Sequence, residues 1–320
     1  MVPLPAWNLP DIILGTCSRL ASNGIRRQGL PTVASDRSHS DRIFRRDMVE
    51  EAVSATLNFY AAPENGEKPQ YYMYTHSPQR NFGDDPHLVL ITDIRGKEDR
   101  FTLDASGFQI VKYPTKFTAF DDDERIKTEY YKEIEELLKE VIGAQTVVVY
   151  DHTIRRRIPG QSDNPACRGP LERVHVDQTP WAGERRAQIR GGMQPEELAK
   201  HRAQVINIWR SINGVVEESP LALADARTIH WENDLVPVTM VYPHELGETY
   251  SVKYSERLRF YYKSKMDSDE VYLFKCYESE TDGRARLSPH TAFRDPTSGK
   301  DAKPRHSIEI RALAFSKKTL

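Results

Sequence analysis

Cysteine is scarce in this chain, glycine-rich phosphate loops are missing, and neither sign of charge prevails. Cys17, Cys167 and Cys276 are the 3 cysteines in 320 residues. They are odd in number and far apart, which excludes a disulfide framework and suits free thiols in a reducing, cytoplasmic setting. With 45 basic and 47 acidic residues the formal net charge is -2. No basic stripe marks a nucleic-acid face, and no polybasic amphipathic segment marks a membrane surface. Apolar runs such as Val147-Val148-Val149 are strand-sized, so no membrane-spanning helix is expected. The first residues, Met1-Val2-Pro3-Leu4-Pro5-Ala6-Trp7, lack the basic and apolar segments of a secretory signal. No G-x-G-x-x-G or P-loop follows a strand-like run, and Gly191-Gly192 reads as polar loop. That argues against a Rossmann dinucleotide or P-loop nucleotide site.

What is present is mostly strand signal. Residues 1–45 are rich in Pro, Ser, Asn and Arg and read as an extended arm, followed by a single domain over 46–320. Val49, Val53, Leu57 and Tyr60 fall at helical steps and predict a short helix. Short β-like runs follow at Tyr71–Tyr74, His87–Ile91 and Phe101–Leu103. The clearest helix is expected from Asp122 to Ile142, with Ile126, Tyr130, Ile134, Leu137, Leu138 and Val141 on one stripe. Asp121, Asp122 and Asp123 would cap its start and Gly143 its end. Thr146–Tyr150 reads as a buried strand, and a short helix is expected from Pro195. Beyond residue 170 come eight candidate strands: Arg173–Thr179, Gln204–Ile212, Val238–Tyr242, Tyr250–Tyr254, Leu258–Tyr262, Val271–Tyr277, Ala285–Phe293 and Ser307–Phe315. Strands separated by turns rather than helices predict a mainly β fold with flanking helices. Its core, over about residues 145–320, is expected to be a jelly roll or antiparallel barrel.

Two stretches on this frame carry chemistry. In Val174-His175-Val176-Asp177-Gln178-Thr179, the residues at i and i+2 share one strand face, so His175 and Asp177 can meet one metal ion. His290, in Pro289-His290-Thr291, would complete the set from a later strand. Two neutral imidazoles and one carboxylate make the facial triad that holds Fe(II) and leaves positions open for a 2-oxo acid and O2. A lone His-x-Asp is a frequent coincidence, and His290 alone is an ordinary core histidine; the conjunction carries the reading. Fifteen residues past His290 comes Arg305-His306-Ser307. Arg305 and Ser307 share a strand face and suit a carboxylate, because a guanidinium binds it bidentately and stays charged. The intervening turn would lay the strands of His290 and Arg305 side by side. Arg311 is a second candidate clamp, weighed equally against an ion pair with Glu309 or another buried carboxylate. Asn207, Trp209, Arg210 and Phe260-Tyr261-Tyr262 are expected near the pocket.

Further segments make the pattern specific: Leu57-Asn58-Phe59-Tyr60, Asp93-Ile94-Arg95-Gly96, Gly107-Phe108-Gln109, Tyr130-Tyr131 and Pro220–Arg227. To these are added Asp269–Tyr277, Pro289–Phe293 and Pro304–Arg311. Over about residues 50 to 315 the chain resembles the fungal and bacterial hydroxylase/desaturase family of secondary metabolism, the gibberellin desaturase-like and cephamycin methoxylation protein-like group. The resemblance implies a double-stranded β-helix that uses Fe(II), 2-oxoglutarate and O2. It implies hydroxylation, desaturation or ring closure at an unactivated C–H of a small molecule. Ser211, where proline is expected, and Phe260, where tryptophan is expected, depart from the family pattern. Alternatives from other classes are a cupin-like accessory or binding protein, a zinc hydrolase and a methyltransferase. The hydrolase gives Arg305 no role, and the methyltransferase wants a glycine-rich loop.

Overall fold

Alternation of apolar and polar residues, not helical spacing, governs the first described segment. In β1 (Ala52–Ala61), Ala55, Leu57 and Phe59 are buried at steps of two, so Val53, Leu57 and Tyr60, expected on a short helix, lie on a strand; Val49 falls outside the described residues. The four-residue steps that suggested a helix coincide with every second turn of the pleat. In the computed structural model, residues 51–73, 79–158 and 168–318 are described. The expected arm over 1–45, with Cys17, and also Tyr74, His76 and Cys167, lie outside them.

The remaining strands are β2 (Gln70–Tyr72), β3 (Gln79–Arg80), β4 (Gly83–Asp93), β5 (Phe108–Lys112), β6 (Thr146–Arg156), β7 (His175–Val176) and β8 (His201–Ser211). They continue with β9 (Leu221–Ala224), β10 (Leu235–Val241), β11 (Leu246–Val252), β12 (Phe260–Tyr262), β13 (Glu270–Glu278), β14 (His290–Ala292) and β15 (His306–Lys317). They form a 10-stranded sheet, β1-β4-β12-β9-β14-β7-β11-β10-β2-β3, and a 5-stranded sheet, β5-β13-β8-β15-β6. The result is the double-stranded β-helix that turn-separated strands predict. His290 and Arg305 belong to different sheets, because β14 pairs with β7 and β9 whereas β15 pairs with β6 and β8. The expected side-by-side pairing is therefore wrong: the loop between them crosses from one sheet to the other.

One apolar core fills the space between the sheets, with Trp209, Tyr272 and Phe274 meeting Leu223, Val252 and Phe260. A second core lies on the opposite face of the smaller sheet. There Ile206, Ile208, Leu273, Ile308 and Ile310 pack on Ile134, Leu137 and Leu138. Those three side chains come from the helix the sequence marked most clearly, and each contributes about 1.5–3 kcal/mol by burial. It runs as α2 (Asp123–Arg125), a π-turn over Ile126–Tyr130, and α3 (Tyr131–Ile142). The earlier α1 is short (Leu103–Ser106) and replaces the strand expected at Phe101–Leu103, because Thr102 caps it and Gly107 closes it at φ 83°. Asp122 accepts the Arg125 amide at the start of α2, and Gly143 ends α3 in the left-handed region at φ 66°.

Local signals explain the other departures. Thr179-Pro180 is a cap followed by an N1 proline, and it opens α4 (Pro180–Gly191), which takes in Gly191, a residue expected in a polar loop. The helix cuts the strand expected over Arg173–Thr179 to the two residues of β7. Gly183 lies so close to the Tyr277 ring that a Cβ there would sit 2.3 Å from it, which presses α4 onto β13. The short helix from Pro195 is α5 (Pro195–Leu198), and α6 (Trp231–Asp234) precedes β10. None of the described helices is long and apolar enough to cross a membrane.

Candidate metal centre

Strand pairing brings two histidines that lie far apart in sequence face to face. His175 on β7 is the cross-strand partner of His290 on β14, and their rings lie 4.4 Å apart between centroids. Val174 and Val176, fully buried, point into the opposite layer and fix the face that His175 presents. Asp177 follows at the end of β7, with a carboxylate oxygen 3.4 Å from His175 Nε2. One ligand atom from each of His175, Asp177 and His290 lies within 4.8 Å of the other two.

Surrounding groups orient all three side chains and set the charge of His290 and Asp177. His175 Nδ1 lies 2.8 Å from the Arg173 carbonyl, and His290 Nδ1 lies 3.1 Å from the Ser288 carbonyl. Only a protonated Nδ1 can donate to a carbonyl, so in the neutral ring it is Nε2 that carries the lone pair. His290 Nε2 is buried without a hydrogen-bond partner. Burial, helped by the neighbouring His175, pushes the His290 pKa down to about 3, which keeps the ring neutral. Burial alone would raise the Asp177 carboxyl, but the Arg311 guanidinium and His175 outweigh it and hold Asp177 well below the usual carboxylate range. Asp177 Oδ2 accepts Arg311 Nε at 2.8 Å and Asn207 Nδ2 at 2.9 Å. Its other oxygen is the one beside His175. The Nε2 atoms of two imidazoles and the free oxygen of Asp177, with no other partner for His290 Nε2, suit Fe(II) in donor type and number. Cys276 is buried nearby, and burial pushes its thiol well up, so it is not a competing thiolate.

The two candidate clamps have different surroundings. Arg305 is buried, stacks over Trp209 at 5.5 Å, and donates to the carbonyl of Ser219, whose backbone is left-handed at φ 49°. Its Nε has no partner, and no carboxylate lies within ion-pairing distance of it among the described residues. Burial, with Arg155 adding to it, pushes the Arg305 pKa down to about 9, so the group is still cationic at neutral pH. Ser307 is buried two residues on, paired with Ser211 of β8. Arg311 bonds Asp177, Glu309, Asp151 and Thr153. Of the pocket residues expected from sequence, Asn207 and Trp209 face this space. Arg210 turns away, donating to the Tyr113 carbonyl and lying 5.7 Å from the Tyr130 ring. The carbonyls of Arg173 and Ser288 had no sequence signal, since any residue two before a histidine can supply one.

The family described as Oxidoreductase/YMDC permease-like domain matches residues 57–315. The hydroxylase/desaturase efuI of Hormonema carpetanum is 34% identical over 286 residues, 82% of this chain and 95% of that protein. The Fe(II)/2-oxoglutarate-dependent dioxygenase nvfI of Aspergillus novofumigatus is 33% identical over 268 residues, covering 80% of this chain and 94% of it. The solved structure of the iron and alpha-ketoglutarate-dependent endoperoxidase NvfI superposes with a TM-score of 0.73 at 30% identity, over 83% of this chain and 99% of that one. The chain belongs to this hydroxylase/desaturase family of Fe(II)/2-oxoglutarate-dependent oxygenases.

Proposed function

We propose that His175, Asp177 and His290 hold the iron, and that Arg305 with Ser307 holds the far carboxylate of 2-oxoglutarate. The substrate is a small secondary metabolite, oxidised at an unactivated C–H bond by hydroxylation, desaturation or oxidative cyclisation, and residues 46–320 form one oxygenase domain. When bound, iron supplies the oxidising chemistry that couples conversion of 2-oxoglutarate and O2 to succinate and CO2 with attack on that bond. The side chains do the rest. The Arg173 and Ser288 carbonyls fix the tautomer and rotation of the two imidazoles. Arg311 and Asn207 hold one oxygen of Asp177 and leave the other for the metal. Trp209 covers Arg305 and keeps its charge away from water, where a carboxylate pair is strongest. The apolar core between the sheets backs the site.

The observation that carries this reading is the convergence of three potential ligand atoms on one point, with His290 Nε2 buried and unpartnered. The test is absorption spectroscopy under anaerobic conditions. Fe(II) plus 2-oxoglutarate should give a visible band that His175→Ala abolishes in folded protein. No band in the wild-type protein, or an undiminished band in the variant, overturns the assignment.

A further inference from the structure

The edge strand β6 carries a second polar cluster beside the metal-binding set. Val148 and Tyr150 pack on the inter-sheet core, whereas Val149 and Ile154 pack on the α3 side. Asp151 and Thr153 nevertheless reach Arg311 from the inter-sheet side. Tyr150 and Asp151, although consecutive, therefore face the same space. A bulge causes this: Arg311 pairs with Asp151 and Ala312 with Val149, so Tyr150 has no opposite residue on β15. A bulge of this kind re-aims one side chain without breaking the sheet.

The re-aimed hydroxyl has no partner. Tyr150 Oη and Arg186 Nε are both buried without a hydrogen bond, and the Arg186 guanidinium lies 5.4 Å from the centre of the Tyr150 ring. Arg186 comes from α4, and among the described residues no carboxylate lies within ion-pairing distance of it. Both groups lie beside the metal-binding set, since Asp151, next to Tyr150, bonds Arg311, which in turn holds Asp177. Burial pushes the Tyr150 hydroxyl up, which keeps it protonated and able to donate. Buried polar groups are otherwise satisfied almost everywhere in folded proteins. Two donors in one cluster, one of them cationic and lying over the ring of the other, are matched by an anionic oxygen.

We infer that Tyr150 and Arg186 form a subsite for a carboxylate on the substrate, separate from the arginine that takes 2-oxoglutarate. This rests on the oxygenase reading above and names the substrate class for that site. An unpaired guanidinium beside a phenol prefers an acid to its ester, because only the acid provides a charge-assisted bond.

The test uses the protein with Fe(II) and 2-oxoglutarate under anaerobic conditions. The probes are benzoate, phenylacetate and cyclohexanecarboxylate, each beside its methyl ester, with dissociation constants from equilibrium dialysis. The expected result is binding of at least one acid about tenfold or more tighter than its ester. Arg186→Met should erase that difference, Arg186→Lys should restore part of it, and Tyr150→Phe should weaken only the acid, about threefold. The 2-oxoglutarate affinity and the visible band should be unchanged in all three variants. Equal binding of acid and ester, binding of no acid, or an unaltered preference in Arg186→Met overturns the proposal. A shift in 2-oxoglutarate affinity with Arg186→Met also overturns it, by assigning the cluster to the cosubstrate. Failure of the metal assignment is separately visible as a missing band in wild type, whereas the acid preference is read without it.

Discussion

Arg305 and Arg311 lie six residues apart, one just before β15 and one within it, both inside the protein, yet they keep opposite company. Arg311 is surrounded by acceptors: Asp177 at 2.8 Å, Asp151 at 3.0 Å, Glu309 and Thr153. Arg305 has an aromatic face, one backbone carbonyl and an Nε with nothing to donate to. A buried charge that is fully paired serves the structure around it. A buried charge left short of acceptors costs stability unless something else requires it. The contrast supports the proposal that Arg311 positions Asp177 and that Arg305 takes an incoming carboxylate.

Breaking the paired arginine should have the largest effect on the protein itself. Arg311→Met leaves Asp177 and Glu309 buried without their cation, and loss of one member of a buried pair costs about 3–5 kcal/mol. Denaturant unfolding of metal-free protein would show it, and Asp177→Asn added to Arg311→Met should recover part of the loss. Equal stability of wild type and Arg311→Met would erase the distinction drawn between the two arginines. The unpaired arginine should behave in the opposite way. Arg305→Met should be at least as stable as wild type without ligands, but should lose about 2–3 kcal/mol in 2-oxoglutarate binding, roughly 30- to 150-fold. Isothermal titration separates these outcomes, and Arg305→Lys should keep charge yet lose the bidentate geometry.

This distinction was not legible in the sequence, although both arginines were. The spacing of His290, Arg305 and Arg311 identified the candidates, and strand parity put them on one face. Which carboxylates surround each one depends on residues over a hundred positions away, such as Asp177 and Asp151 for Arg311. The jelly roll was legible because turn-separated strands leave few other architectures, and the helix ending at Gly143 was legible because its stripe and caps agree. The sheet partners were not: β14 and β15 are near in sequence but lie on different sheets. The β6 bulge that turns Tyr150 inward has no glycine or proline to announce it.

The histidines offer a smaller, pH-dependent version of the comparison. In metal-free protein His290 is buried and neutral with a pKa of about 3, against about 6.5 when unfolded. The depressed folded value means that its stabilising effect is full above about 6.5 and is lost as pH falls towards about 3. Between those limits this histidine alone should remove up to about 1.4 kcal/mol per pH unit, and His290→Phe should flatten the slope measured by chemical denaturation. A slope unchanged in the variant would mean that the ring is solvated rather than buried.

The smallest effect expected concerns the second donor to Asp177. Asn207 supplies one neutral hydrogen bond, at 2.9 Å, to the same oxygen that Arg311 holds. Deleting it leaves the charged partner in place, so Asp177 stays ionised and the fold is largely kept. What is lost is one of two restraints on the carboxylate's rotation. A change of that kind typically weakens metal binding at least tenfold, towards the low end here because Arg311 remains. Competition with a chelator for Co(II) should show that loss in Asn207→Ala at constant melting temperature, and Asn207→Asp should be worse because it places a like charge beside Asp177. If Asn207→Ala binds the metal as tightly as wild type, Arg311 alone orients the carboxylate, and the division of labour between the arginines is sharper still.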